Sequence, residues 1–293
     1  MRLDESGESE IIRRLLPHLA ADGLLILPGR DDATAWEEEA GITVASCDAS
    51  VEGVHFDLSW QDPEDAGRRA LALALGDLAA KGARPTFGLV TIAAPARWDV
   101  ETVVAIYAGI GSLAREVGMR IAGGDTTAID GPAVLSITVL GRAEARPLGR
   151  SEVVPGWALA VTGPLGGAAV ALRERRPFPL TPRLAEGARL NAAGVCCGDI
   201  SDGLLRELEK FLSSSGAGSR IEIDRVPRAP GATALDALAS GEEAELVCAG
   251  PLDVLERAGL PVIGALTGVA EVVVLDRHGN PLEIRIRGHE HFA

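Results

Sequence analysis

DPEDAGRRALALALGDLAAKGARPTFGLVTIAA, residues 62–94, decides the fold class. Asp62 offers a side-chain cap, Pro63 falls in the first turn where its missing N–H is no loss, and Asp65 is placed as the reciprocal partner. The spacing predicts a helix from there towards Lys81, stopped by Gly82, and then a buried strand over 87–93. A helix feeding a buried strand is the unit of an α/β protein.

The same alternation extends outward. Upstream, Ile11, Ile12, Leu15, Leu16 and Leu19 recur with helical spacing over 8–20, and ITVASC at 42–47 predicts a strand ending at Asp48. Downstream, a helix is expected over 100–117, from Asp99 to a stop near Gly118. MRIAGGDTT then predicts a short strand emptying into a glycine-rich acidic loop, and a further strand is expected over 134–140. EARPLGRSEVVPG at 144–156 is rich in Arg, Pro and Gly and marks a boundary, giving units of 1–145 and 146–293. Beyond it, strands are expected at 157–162, 221–226, 261–266, 270–276 and 281–286. Helices are expected at 165–173, 183–193 and 202–212, the last capped by Ser201. Both halves are therefore α/β.

Composition removes several functions. With 47% hydrophobic and 24% charged residues, 293 residues are enough for two ordinary domains. A net charge of −14 argues against broad attraction to nucleic acid or an anionic membrane. Four cysteines without CxxC pairs, a charged start without a signal-like apolar stretch, and no run long enough to cross a bilayer predict a cytoplasmic protein. Cys196 and Cys197 read as packing residues. GxxxxGK[ST], the protein-kinase loops and GxSxG are missing. The GxGxxA of 109–114 falls inside a predicted helix, where it cannot form a dinucleotide turn.

The functional signal lies in five small acidic clusters: GRDD (29–32), SCDASVEGVHF (46–56), LGDLAAKGA (75–83), GGDTT (123–127) and GDISDGL (198–204). Loops from several strands can converge, and converging carboxylates repel one another unless a cation joins them. Mg2+ suits such a set, because it prefers hard oxygen ligands and links one or two carboxylates to substrate phosphates. Asp32, Asp48, Asp77, Asp125, Asp199 and Asp202 are the metal candidates, and phosphoryl transfer is the chemistry they suit. The five histidines and four cysteines show no familiar zinc spacing.

In this order the clusters resemble the thiamine-monophosphate kinase family, in the superfamily of aminoimidazole ribonucleotide synthetase. The resemblance runs from GRDD near residue 29 to GHEHF at 288–292. It implies a two-domain α/β fold with mixed sheets and packed helices. The first domain would bind metal and ATP and form the homodimer, and the second would complete the active site. It also implies ATP and Mg2+ dependence and direct in-line phosphorylation of thiamine phosphate to thiamine diphosphate.

Residue by residue, the resemblance puts metal on Asp32, Ser46, Asp48, Asp77, Asp125, Asp199 and Asp202, with Asp48, Asp77, Asp125 and Asp202 at the reaction. Tyr107, Gly124, Arg150 and Ser201 match positions around ATP, and His55, Glu242, Glu243 and His289 match the substrate side. Arg30, Cys47 and His289 depart from the family's common residues. SGEEAEL replaces GGEDYEL, with Glu243 for Asp and Ala244 for Tyr. These departures point to another small acceptor, or to a nucleotide-binding protein without turnover, as the alternatives.

Overall fold

The computed structural model of the chain describes residues 24–26, 31–38, 41–286 and 288–290. The helix expected over 8–20, the Arg30 departure and the last three residues lie outside them.

Two six-stranded sheets form, one from each half. The first contains β1 (Leu24–Ile26), β2 (Thr34–Glu38), β3 (Gly41–Val51), β4 (Ala83–Ala94), β5 (Arg120–Ala128) and β6 (Val134–Ala143), in the order β1-β2-β3-β6-β4-β5. Its β4–β5 pair is parallel and the rest antiparallel. The second contains β7 (Ala158–Val161), β8 (Cys196–Asp199), β9 (Gly218–Glu222), β10 (Leu246–Gly250), β11 (Val262–Thr267) and β12 (Val272–Leu275), in the order β12-β9-β11-β7-β10-β8. Only its β9–β12 pair is parallel among the described strands. Both sheets are mixed.

Helix α1 (Pro63–Ala80) is the spine. The Asp62 carboxylate accepts from the Glu64 N–H at 2.8 Å and caps it, as its sequence requires. Leu71, Leu75 and Leu78 are fully buried, each contributing about 1.5–3 kcal/mol of transfer free energy. The helix is covered on almost every side because it packs on the first sheet, on α2 (Val100–Glu116), on α4 (Leu184–Ala192) and on β8. Missing side chains permit this. A Cβ on Gly67 would lie 2.0 Å from the Ile106 carbonyl oxygen, and one on Gly187 would lie 1.8 Å from that of Ala79. Helices α3 (Gly167–Glu174), α5 (Leu204–Ser215), α6 (Ala234–Ala239) and α7 (Leu252–Arg257) complete the second half.

Several expectations are corrected. β3 does not end at Asp48 but continues to Val51, and β5 runs through GGDTT, since both are held by ladders to a neighbouring strand, that of β5 with one bulge at Ala122. Helix α5 begins after Gly203, whose φ of 111° suits glycine, so Ser201 does not cap it. Residues 223–225 form a 3-10 turn, and 281–286 has no strand, just a bridge between Pro281 and Leu275. The short α6 was hidden from periodicity but carries a reciprocal Thr233–Asp236 cap.

Candidate active site

On β3, residues alternate between faces, and the ladder to β6 places Ser46 and Asp48 on the α1 side with buried Val44. There the Ser46 hydroxyl donates to the Asp77 carboxylate of α1, and its oxygen lies 3.1 Å from the Asp32 carbonyl oxygen. The Asp199 N–H, at the end of β8, donates to the Asp32 carboxylate at 3.4 Å. Four elements from both halves thus bring Asp32, Ser46, Asp48, Asp77 and Asp199 into one neighbourhood. Glycine makes room here too: a Cβ on Gly76 would lie 2.6 Å from the Asp199 carboxylate.

The charges oppose one another. Burial and the repulsion of Asp32, Asp48 and Asp199 push Asp77 well above the ordinary carboxylate range. Asp199 is raised in the same direction, by burial and then by Asp32, Asp48 and Glu207. Asp48 is pushed up to about 6 by burial, Glu242 and Asp202, with Lys210 opposing. Asp199 is 4% exposed, and its Oδ1 is buried without a hydrogen-bond partner.

A buried counter-network holds the rim of this cluster. Lys81, with no exposed surface, pairs with Asp31, lies 3.7 Å from Asp32, and donates to the Cys197 carbonyl at 3.0 Å. Burial alone would weaken its hold on a proton, but Asp31 and Asp32 outweigh that and keep it charged. Arg150 is 2% exposed and spends its guanidinium on Asp31, Asp32 and Glu207. Arg150, expected around ATP, is placed here with its donors on Asp31, Asp32 and Glu207, where it positions Asp32. Lys210 of α5 pairs with Asp202 at 3.0 Å and lies 3.6 Å from Glu207.

A cleft of about 480 Å3 opens beside the cluster. Asp48, Ser201, Asp202, Glu242, His55 and His289 all line it. Here His55 Nδ1 accepts from the Val51 N–H at 3.0 Å, and the His289 N–H donates to the Asp202 carbonyl at 2.9 Å. Ser201 and Asp202 side chains lie 3.3 Å apart, and Glu242 pairs with Arg69. Glu243 is not in this wall. Its buried carboxylate accepts from the N–H groups of Gly166 and Gly167, at 3.0 and 3.1 Å, and so caps α3. Ala244 is buried in the first core. Glu243, expected on the substrate side, is thus placed at the start of α3, outside the lining of the cleft.

Asp125 stands apart. The registers run Asp48 to Ile137, Ile137 to Val90 and Val90 to Gly124, so Gly124 is three strands from Asp48, about 14 Å at 4.8 Å per strand. Asp125, one residue further, projects from the opposite face of the sheet, with its carboxylate accepting from the Thr126 N–H at 2.9 Å. Tyr107 donates to the Val90 carbonyl at 3.2 Å, and a Cβ on Gly124 would meet that same oxygen at 1.7 Å. Tyr107, Gly124 and Asp125 thus form a second group at the β4–β5 edge. Within this chain Asp125 does not join Asp48 and Asp77, contrary to the expected assembly.

Sequence reading missed Lys81, Glu207, Lys210, Arg69 and Trp60. The signal for Lys81 was a cation at the C-terminal end of a helix that also carries Asp77, and for Glu207 and Lys210 an opposite-charge pair at i,i+3.

The donor set fits Mg2+. Among the described residues no three His, Cys, Asp or Glu side chains converge into a ready-made cage. Hard carboxylates with one unpartnered buried oxygen instead suit an ion held by one or two side chains, water and substrate phosphates.

The chain is similar to known proteins over most of its length. Residues 30–143 match the family model described as AIR synthase related protein, N-terminal domain. The thiamine-monophosphate kinase of Rhodopirellula baltica is 36% identical over 245 residues, 77% of this chain and 76% of that one. That of Salmonella typhimurium is 30% identical over 327 aligned positions, covering 98% of both chains. The chain belongs to the thiamine-monophosphate kinase family. A solved structure, AaThiL complexed with AMPPCP and TMP, has the same fold, with a TM-score of 0.85 over 99% of both chains at 23% identity. Membership explains why the acidic motifs share one order along the chain, while Lys81 and Glu243 are read from this structure.

Proposed function

We propose that this chain transfers the γ-phosphoryl group of ATP directly to the phosphate of thiamine phosphate, giving thiamine diphosphate and ADP. The observation that carries the reading is the set of mutually repelling carboxylates beside a cleft that both halves line, in a member of this kinase family. The acceptor phosphate is already anionic near neutral pH, so no base need remove a proton. Positioning and charge neutralisation supply the catalysis.

Asp32, Ser46, Asp48, Asp77 and Asp199 would hold Mg2+, with Asp202 at the cleft side. When bound, Mg2+ would neutralise phosphate oxygens that these carboxylates would otherwise repel. Arg150 and Lys81 keep Asp32 in place, and Lys210 does the same for Asp202. Of the departures that suggested another acceptor, Glu243 and Ala244 do not line the cleft and His289 does, so the change facing the acceptor is confined to His289.

The homodimer belongs to the same proposal. The face of the first sheet turned away from α1 leaves Phe87 and Leu89 40% and 45% exposed beside Asp125. A second copy covering that face would bury them, with the unit 1–145 serving dimerisation, ATP and metal and the unit 146–293 completing the site.

The test is product mass. Purified protein with ATP, Mg2+ and thiamine phosphate yields ADP and thiamine diphosphate in equal amounts, and excess EDTA abolishes both. ADP with free phosphate and no diphosphate product would refute the proposed acceptor.

A further inference from the structure

Among the described residues, Trp60 is a large, half-buried side chain that belongs to none of the apolar cores. Trp98 and Trp157 pack against the apolar cores, whereas Trp60 packs against none of the three. It is nevertheless held. The turn 57–61 is closed by the Asp57 N–H donating to Gln61 Oε1 at 2.7 Å and by the Trp60 N–H donating to the Asp57 carbonyl at 3.2 Å. Asp57 Oδ1 accepts from the Ser59 N–H at 2.9 Å, and the Trp60 side chain adds a hydrogen bond to the same carboxylate. An indole tied at its polar edge leaves its faces for contact.

Trp60 lines the cleft from the first half of the chain. Leu172 of α3 and Phe178 of the following connector line it from the second. Leu172 is 67% exposed and Val54, also in the wall, is 59% exposed, so apolar surface lies open inside a cleft that also holds Asp48 and Glu242. Phe178 lies over the start of α3, where a Cβ on Gly167 would come within 2.7 Å of its ring. The cleft therefore offers two chemistries: carboxylates for a metal-bound phosphate and a cation, and aromatic and aliphatic surface for a flat apolar body. A phosphorylated sugar would use the first and leave the second wet.

We infer that Trp60 is a specificity-determining residue whose indole face holds the planar, cationic heteroaromatic part of the acceptor, selecting a phosphorylated heteroaromatic over an aliphatic phosphate. This deepens the thiamine phosphate reading and rests on it. Stacking and cation–π attraction act on the ring and not on the reacting phosphate, so the effect should fall on acceptor binding.

The experiment compares the full-length wild type with Trp60→Ala and Trp60→Phe. Trp60→Ala should raise KM for thiamine phosphate about 10- to 100-fold, with kcat and KM for ATP within about twofold of wild type. Trp60→Phe should recover most of the loss, because a ring face remains. As a readout independent of turnover, thiamine phosphate added without ATP should quench wild-type tryptophan fluorescence. Trp60→Phe, which keeps the other three of the four tryptophans, should lose that quench. Inorganic phosphate should not quench the wild type. An unchanged KM in Trp60→Ala, or a full quench in Trp60→Phe, overturns the inference while leaving the kinase reading intact. A wild type that fails to phosphorylate thiamine phosphate overturns both.

Discussion

Replacing Arg150 by methionine tests whether this residue is a buried strut rather than a phosphate ligand. Arg150 joins Asp31, Asp32 and Glu207 at 2% exposure and lies over the Phe211 ring, 5.8 Å from its centroid. Methionine keeps volume against the ring but leaves the carboxylates short of one cation. Removing one partner of a buried ion pair costs about 3–5 kcal/mol, because the remaining charge is stranded. Lys81 still serves Asp31 and Lys210 still faces Glu207, so about 3 kcal/mol is expected. For 293 residues the unfolding entropy is about 0.6 kcal/mol/K, which converts that loss to a drop of about 5 °C in the thermal midpoint. Circular dichroism melts with EDTA and without nucleotide should show the drop. Because the network is dry, it should be nearly the same in 0.05 M and 1 M salt, unlike a surface pair. Arg150→Lys should fall between, keeping the charge and losing the fork. A variant melting within 1 °C of wild type, but with a raised KM for ATP, would refute the strut and restore the phosphate role.

Three substitutions probe the buried carboxylates and the α6 cap. Asp77→Asn should lower turnover at least about 100-fold while leaving the metal-free melting midpoint equal or higher, since it removes a buried charge repelled by three others; a clear fall in that midpoint would contradict the crowding. Gly76→Ala should improve helix propensity by about 1 kcal/mol yet cut turnover, because the added Cβ must displace the Asp199 carboxylate, and normal kinetics would show that the carboxylate can move freely. Asp236 is held down to about 2 by its hydrogen bonds from Arg173 and Thr233, so its folded pKa lies below its ordinary value of 3.8. Its contribution is present above pH 4 and disappears as pH falls through 2. Asp236→Asn should therefore cost about 1 kcal/mol in denaturant melts at pH 7 and progressively less as pH falls from 4 towards 2, and a cost that does not change over that range would exclude the carboxylate cap.

The local features were legible in the chain. Asp62 and Pro63 define a helix start by side-chain reach and fixed φ, Gly82 and Gly118 mark stops that suit a positive φ, and the order of GRDD, SCD, GDLAA, GGDTT and DISDG pointed to the family. Such signals act over a few residues, so neighbouring sequence contains them. Side-chain destinations were not legible. Asp48 and Asp125 both sit in short acidic motifs, yet strand register sends one towards α1 and the other through the far face. Arg150 reads as a free cation in a linker until Asp31, 119 positions away, arrives beside it, and Glu243 reads as a pocket acid until the start of α3 closes on it. Sequence by itself determined the kinds of element around the site, though not where β3, β5 and α5 begin or end, and it pointed to a phosphate-bearing ligand. The tertiary structure decided which charges face the cleft and which neutralise one another inside, because burial and long-range pairing, set by packing partners distant in the chain, fix the free energy of a charge.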